Sequence, residues 1–436
     1  MKRLNIHISF LLLFLVSAIA WSQEREEGTE TGSYEPGEGL HLRSKNGHEV
    51  NIVTYIQPAF EDKYYTDANV DATRYRLRRG RLRMEGKAPN PRLSYRVQFD
   101  LTGNGEFEEQ EGLYLLDAVV NYQLFDQLRV SFGQRATYTD NRELFMYSNT
   151  LQLVERSRVT SAFASIREFG LFVRGDFRTG GTSRLRPYFV LTNGDGGNVF
   201  DRDRGGLKVG GRIDFLPFGT FTNMGQFRQV DVMRELTPKL VFGANFSHNN
   251  GMSSRRGRAS GDIIYLNDFG EEALPDYTKF GVDFMFKYRG FSAIGEFVKT
   301  MAHVPSEISQ RVRNDGSIAN TFLVNGIQDV ENYVKGRMML GEGYNIQMGY
   351  LFKSGFSVDA RYTHLKADEH SFLNNPTFYS RPNYYTLGVT QYMSKFYGAK
   401  IQTDLTYVQG DNINDINSNP IDGNEWILRI MLTFTM

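Results

Sequence analysis

The chain has no cysteine, and that absence sets the first limits. Disulfides, thiolate metal sites and a lipid-modified cysteine anchor are all excluded. Proline is scarce, at 12 residues, and histidine scarcer, at 7 in 436. Beyond the N-terminus the histidines are His41, His48, His248, His303, His364 and His370, with no paired spacing. There is no H-E-x-x-H, no G-x-S-x-G and no phosphate-binding glycine loop, so no enzyme class, metal or cofactor is indicated. An excess of positive charge is also missing. Fifty Lys and Arg balance fifty Asp and Glu, which argues against a nucleic-acid partner. After Gln23 no run of about eighteen apolar residues occurs, so no helix is expected to span a membrane.

What is present begins at the N-terminus. Lys2 and Arg3 precede an apolar stretch from Ile8 to Val16, and Ala18-Ile19-Ala20 has the small-x-small pattern of a cleavage site. The expectation is a signal peptide over 1–20, with cleavage as late as Gln23, then a polar periplasmic segment over 24–48. Loss of Lys2 and Arg3 would leave 48 basic against 50 acidic residues.

From 49 to 436 the dominant signal is alternation. Trp426, Leu428, Ile430, Leu432 and Phe434 share one face, opposite Arg429 and Thr433. Phe280, Val282, Phe284, Phe286 and Tyr288 repeat this opposite Gly281, Asp283 and Lys287. A period of two places such sets on opposite faces of a strand. About sixteen segments fit, starting near Glu49, Arg74, Arg92, Gly112, Gln127, Ser165, Ser183, Gly206, Pro238, Tyr277, Phe291, Gly343, Phe356, Tyr384, Ala399 and Glu425. Most are about nine to twelve residues long, as a tilted membrane-spanning strand requires.

Short and long connectors also alternate, the rhythm of periplasmic turns and extracellular loops. The long set includes Glu61 to Thr73, Gly103 to Glu111, Ala136 to Ala164 and Met301 to Glu342. One connector breaks the rhythm, because Leu216 to Thr237 is long where parity expects a turn. A soluble β-sandwich would not show this alternation, and no blade-length repeat suggests a propeller. The fold expected is therefore all-β, a transmembrane antiparallel β-barrel of about sixteen strands. Such a barrel is too wide for side chains to fill, so the apolar face is assigned to lipid and the polar face to the lumen. The acidic stretches Asp195 to Asp203 and Asp411 to Asp422 lack the spacing of a calcium loop and read as solvated loops.

The most unusual segment runs from Arg74 to Glu85. Arg74, Arg76 and Arg78 fall opposite Tyr75 and Leu77. After Arg79 the phase changes, so that Arg81 and Arg83 face the lumen while Leu82 and Met84 face lipid. A bulge at Arg78-Arg79 would keep every arginine out of the bilayer, where each would cost about 2–4 kcal/mol. A row of guanidinium groups concentrates anions and binds oxyanions in bidentate fashion. Arg96, Arg129 and Arg135 on nearby strands extend the expected anion path. The long connector Ala136 to Ala164 is the candidate constriction, with Arg142, Arg156 and Arg158 set among Asp140, Glu143 and Glu155. The competing reading is that the arginines face loop carboxylates and set up a transverse field in a general porin.

From Gly39 onward the chain resembles the phosphate-selective porin O and P family, in the form common among Bacteroidetes. The resemblance is carried by Gly39-Leu40-His41-Leu42-Arg43-Ser44 and by the Arg76-Leu77-Arg78-Arg79-Gly80-Arg81-Leu82 run. Leu116 to Tyr122, Arg129 to Gln134 and Arg167-Glu168-Phe169-Gly170 match in type and order. The resemblance implies a sixteen-stranded homotrimeric channel in the outer membrane of a Gram-negative cell, with an inward-folded third loop and a basic anion path. Its partners would be outer-membrane lipid, small anionic solutes such as phosphate, and the barrel-assembly machinery that reads the last strand. Two departures stand out. Lysines are few near Ala136 to Ala164, and the chain ends Phe434-Thr435-Met436 rather than on an aromatic residue. The alternatives are a barrel with a closed lumen that binds at the cell surface, and a non-selective porin.

Overall fold

The computed structural model describes residues 29–35, 37–66, 70–102, 113–198, 204–257, 263–374, 381–410, 413–414 and 420–436. The expected signal peptide and connector Gly103 to Glu111 lie outside them, as do parts of both acidic stretches.

Sixteen strands close into one antiparallel barrel. They are β1 Glu49–Tyr65, β2 Val70–Lys87, β3 Leu93–Asp100, β4 Tyr114–Phe125, β5 Leu128–Ala136, β6 Arg167–Gly175, β7 Ser183–Thr192 and β8 Lys208–Leu216. The second half comprises β9 Lys239–Asn249, β10 Asp276–Tyr288, β11 Phe291–His303, β12 Gly341–Leu351, β13 Phe356–Ala367, β14 Asn383–Tyr392, β15 Ala399–Gln409 and β16 Glu425–Thr435. Each pairs with its successor, and β16 returns to β1 with Trp426 opposite Tyr64 and Phe434 opposite Ile56. Among the described residues each of the sixteen strands therefore has a hydrogen-bonded neighbour on both sides, as a lipid environment demands of a spanning sheet. Met436 continues the ladder, exchanging backbone hydrogen bonds with Thr54 at 2.7 and 2.8 Å.

The alternating faces fall as membrane physics requires. On β10 Val282 is exposed while Lys279, Asp283 and Lys287 are buried inside the barrel. Leu387 on β14 and Ile213 on β8 face outward, whereas Lys400, Gln402 and Asp404 on β15 face inward. At the rim, aromatic rings run from strand to strand. Tyr362 stacks on Tyr385 at 5.0 Å, and Tyr407 meets Trp426 at 4.8 Å. Such a belt suits the membrane–water interface.

Three features depart from the sequence pattern. The first external connector, expected over Glu61 to Thr73, is mostly strand. The β1–β2 ladder continues through Glu61–Arg74 to Tyr65–Val70. Glu61 is buried inside while Tyr64 and Tyr75 are exposed outside, so the strand alternation continues where polar residues become frequent. Second, Thr29–Glu35 and Gly39–Ser44 form a hairpin in the segment that precedes the barrel. Leu40 to Arg43 pair with Ile52 to Glu49, extending the sheet where β16 has already ended. Third, the long connector 217–238 keeps the strand parity and is a folded periplasmic turn. It enters the barrel mouth, where Lys287 Nζ and the Tyr397 hydroxyl both donate to the Val230 carbonyl, at 3.0 and 2.7 Å.

Outside the membrane, the connectors after β9 and β11 fold together into a cap. It contains short strands at Tyr265–Leu266, Gln310–Val312 and Ile318–Ala319. Tyr265, Phe322, Val334 and Met338 form its own apolar core.

Candidate permeation path

The path is shaped by the connector between β5 and β6, which folds into the lumen. It contains helix α1 Arg142–Phe145 and helix α2 Arg158–Phe163. Ser157 caps α2 by accepting from Thr160 N, satisfying a donor that the helix itself leaves free. A buried loop must find partners for its backbone. Here the barrel wall supplies them. Lys400 Nζ donates to the Leu151 carbonyl at 2.7 Å, Gln402 Nε2 donates to the Gln152 carbonyl at 2.9 Å, and Asp404 accepts from Val154 N at 2.8 Å. Gly388 on β14 permits the close approach. A Cβ there would stand 2.4 Å from Leu153.

Ionic contacts fix the first half of the loop. The fully buried Arg142 guanidinium donates to Asp214 and Asp283, each at 2.7 Å. Arg212 bonds the same two carboxylates. Gly243 makes room, since a Cβ there would lie 1.9 Å from the Arg212 guanidinium. Lys279 pairs with Asp140, and Lys208 with Glu168. Arg156 turns back on its own loop and donates to the Glu143 and Met146 carbonyls.

On the opposite side the loop meets the arginine-rich strand. Gln57 pairs with Arg79 and Pro58 with Leu77, so Arg78 is an extra residue, a β-bulge. The bulge turns both Arg78 and Arg79 inward, leaving Tyr75 and Leu77 exposed on the outside. Both guanidiniums close on Glu155 of the loop, Arg79 at 2.8 Å. Burial would raise the Glu155 carboxyl, but the adjacent Arg78 and Arg79 outweigh it and hold the group well below the usual carboxylate range. One layer nearer the periplasm, Arg81 donates to Ser148 Oγ at 2.8 Å and lies 3.3 Å from Asp100.

These contacts divide the lumen. Outside the Glu155 clamp lies a cavity of about 290 Å³ facing the cell exterior, lined by nine basic and four acidic side chains. Arg74, Arg76, Arg158, Arg361, Arg381 and Arg429 are among them. Arg74 and Arg429 bond Glu61 at 2.6 and 2.7 Å, whereas Arg76 reaches carboxylates only at 3.7 and 3.8 Å. Arg158 lies over the Tyr384 ring. Inside the clamp a larger cavity of about 820 Å³ opens toward the periplasm, lined by six basic and two acidic side chains. Arg96, bonded to Glu85, lies there with Arg129 and Arg135. Arg83 stands over Tyr147 at 4.4 Å.

The structure thus brings Arg74, Arg76, Arg78 and Arg158 to the outer cavity and Arg96, Arg129 and Arg135 to the inner one. Arg81 lies between the two, and Arg142 is enclosed in its ion network. Sequence reasoning missed Arg361, Arg381 and Arg174. Arg361 and Arg381 are single inward cations on their strand or loop, and Arg174 stands seven positions from Arg167, without the clustering that drew attention to Arg74 to Arg83.

A closed barrel with an apolar exterior, a polar interior divided by an inward-folded loop, and long loops on one side defines an outer-membrane porin. The family model of phosphate-selective porin O and P matches residues 50–435, and the chain belongs to that family. Among solved structures it is similar to the anion-selective porin from Comamonas acidovorans, at 9% identity over 89% of this chain and 100% of that one, with a TM-score of 0.50. OmpF of Salmonella typhi, in complex with daunomycin, aligns at 11% identity over 93% and 100%, with a TM-score of 0.52. The outer membrane channel DcaP of Acinetobacter baumannii aligns at 12% identity over 90% and 99%, with a TM-score of 0.50. At these identities the likeness speaks to the fold. No curated protein matches the chain.

Proposed function

We propose that this porin conducts small hydrophilic solutes with a preference for anions. One observation carries the reading: basic side chains outnumber acidic ones around both cavities, nine to four outside and six to two inside. A low-dielectric wall of one sign raises the local concentration of the opposite ion. The Glu155 clamp reduces this excess without cancelling it. Phosphate belongs to the proposal through the family alone. Arg142 and Arg156 hold the loop in this scheme, and the path runs past Arg74, Arg76, Arg78, Arg81, Arg83, Arg96, Arg129, Arg135 and Arg158.

The test is the reversal potential of purified protein in a planar bilayer under a salt gradient. Anion preference is expected, and replacing Arg74 and Arg76 by Glu should shift the potential toward cations. Cation preference in the unaltered protein would sink the proposal. Cleavage within 20–23, assembly as a homotrimer, recognition of β16 by the assembly machinery and the lack of any enzymatic activity belong to the same reading. Mass spectrometry of the mature N-terminus and sedimentation in detergent check the first two.

A second reading has its own observation. The two cavities share no lining residue. Tyr55, Gln57, Arg79 and Arg81 lie between them, all buried and bonded to one another or to the loop. A barrel closed at rest would give no conductance steps until the loop moves.

A further inference from the structure

The two cavities differ in more than size. The outer one is walled mainly by guanidinium and carboxylate groups, with the Tyr384 ring and a few hydroxyls between them. The inner one places cations beside an aromatic wall. The Arg135 guanidinium lies over the Tyr138 ring at 4.5 Å and near Phe172 at 5.5 Å. Tyr138 in turn meets Tyr188 at 4.3 Å and Phe145 at 5.6 Å, so rings of the loop, β6 and β7 form one cluster, of which Tyr138, Phe145 and Phe172 line the cavity. Across the cavity, Met224 and Phe227 of the folded periplasmic turn add apolar surface.

The charges there are unevenly satisfied. Arg96 is bonded to Glu85, and Arg174 has Asp176 at 4.0 Å. Arg129 donates to a neutral oxygen, Gln123 Oε1, at 2.9 Å. Among the described residues Arg135 donates only to the Ala136 carbonyl, at 3.4 Å. Neither forms an ion pair with a carboxylate among the described residues. Arg129 and Arg174 are cross-strand partners, so like charges stand side by side. Stacking occupies the face of a guanidinium and leaves its N–H edge available for a planar oxyanion. A volume of about 820 Å³ lies within the range of small-molecule sites, about 300–1,000 Å³.

We propose that the inner, periplasm-facing cavity is a binding subsite for organic anions with an aromatic body, the carboxylate or phosphate meeting Arg129 and Arg135 and the ring lying against Tyr138 and Phe145. The subsite rests on the anion-path reading and narrows it. The outer cavity selects by charge alone, whereas the inner one also retains a solute by its apolar surface. Inorganic phosphate would use the arginines and gain nothing from the rings.

Titration calorimetry of the full-length protein in detergent tests this with three probes: naphthoate, acetate and naphthalene methanol. Naphthoate should bind saturably, with acetate and the uncharged alcohol each at least about tenfold weaker, since the site needs both head and body. Arg129→Gln and Arg135→Gln should each weaken naphthoate by about tenfold, the effect of removing one charge-assisted contact. Arg129 is solvent-exposed, so its replacement leaves the fold in place, and unchanged binding in that variant would overturn the proposal. So would equal binding of acetate and naphthoate. The reversal potential separates the two readings. Anion preference without naphthoate binding removes the subsite and keeps the path. Saturable naphthoate binding in a cation-preferring channel keeps the subsite and removes the path.

Discussion

Two halves of the same lumen use arginine in opposite ways. Along β7 to β12 the inward loop lies against the wall, and each cation meets a carboxylate or a carbonyl at bonding distance. Arg142 and Arg212 share Asp214 and Asp283, and Lys279 holds Asp140. Along β1 to β6, and along β13 to β16 at the outer mouth, the wall faces the two cavities, and there basic side chains outnumber acidic ones. Where water is excluded, a guanidinium is tolerated only as part of a closed network, and it serves to fix the loop. Where space remains, an incompletely neutralised guanidinium creates a field. The Glu155 clamp is the seam between the two regimes.

The largest effect should come from breaking a network on the filled side. Arg142→Ala leaves Asp214 and Asp283 facing each other with Arg212 alone. Removing one partner of a buried ion group costs about 3–5 kcal/mol. The variant should unfold at clearly lower temperature, followed by the heat-dependent shift of the barrel on SDS gels. It should also show noisy conductance as the loop loosens. Unchanged stability would mean that the filled half is not held by its ions, and the contrast between the halves would fail.

A change at the seam comes next. Glu155→Gln removes the carboxylate that Arg78 and Arg79 embrace. A hydrogen bond to a charged group contributes about 1.5–3 kcal/mol, so the docked and undocked positions of this stretch should shift by on the order of tenfold. Single-channel recordings should show more frequent opening and a stronger anion preference, and the unfolding temperature should fall, though by less than in Arg142→Ala.

Acid probes the same contact without a mutation. The Glu155 carboxyl is held below its ordinary value because its guanidinium partners outweigh burial. A depressed carboxyl contributes stability above the unfolded value, about 4.3, and loses it as pH falls through the folded value. Conductance should therefore stay level from pH 8 to pH 5 and rise only in more acid solution. A rise near neutral pH would assign the gating to some other group.

How much of this contrast the sequence carried follows from what alternation can report. Every barrel strand begins within four residues of its expected start. The phase change after Arg79 is the bulge at Arg78, because a period-two pattern has to slip where a residue is inserted. Barrel closure was legible as well, and it sets Arg429 on the last strand opposite Glu61 on the first. Alternation says which residues point inward but not what they meet. Arg142 and Arg158 stand sixteen positions apart in one loop, yet one is enclosed by carboxylates from β8 and β10 and the other faces a cavity. Those carboxylates lie 72 and 141 residues away from Arg142 in the chain, a separation that no local pattern reports. The turn 217–238 was visible only as an excess of length, since its contacts are made by isolated residues such as Val230.

The smallest effect should come from the open side, at Arg74. Its side chain is 45% exposed and bonds the buried Glu61 at 2.6 Å, which Arg429 also holds at 2.7 Å. With Arg429 still holding Glu61, loss of the exposed partner should cost about 0.2–1 kcal/mol, so Arg74→Gln should leave the unfolding temperature nearly unchanged. Its role is in the field at the outer mouth. That field is screened over about 10 Å at 0.1 M salt and about 3 Å at 1 M. The ratio of anion to cation permeability should fall by about twofold or less in dilute salt, and the difference should vanish near 1 M. A deficit that persists in concentrated salt would show that Arg74 touches the permeating ion directly. The outer cavity would then be a binding site with its own ligand geometry, and the division between a charge-selecting outer chamber and a body-retaining inner one would need to be redrawn.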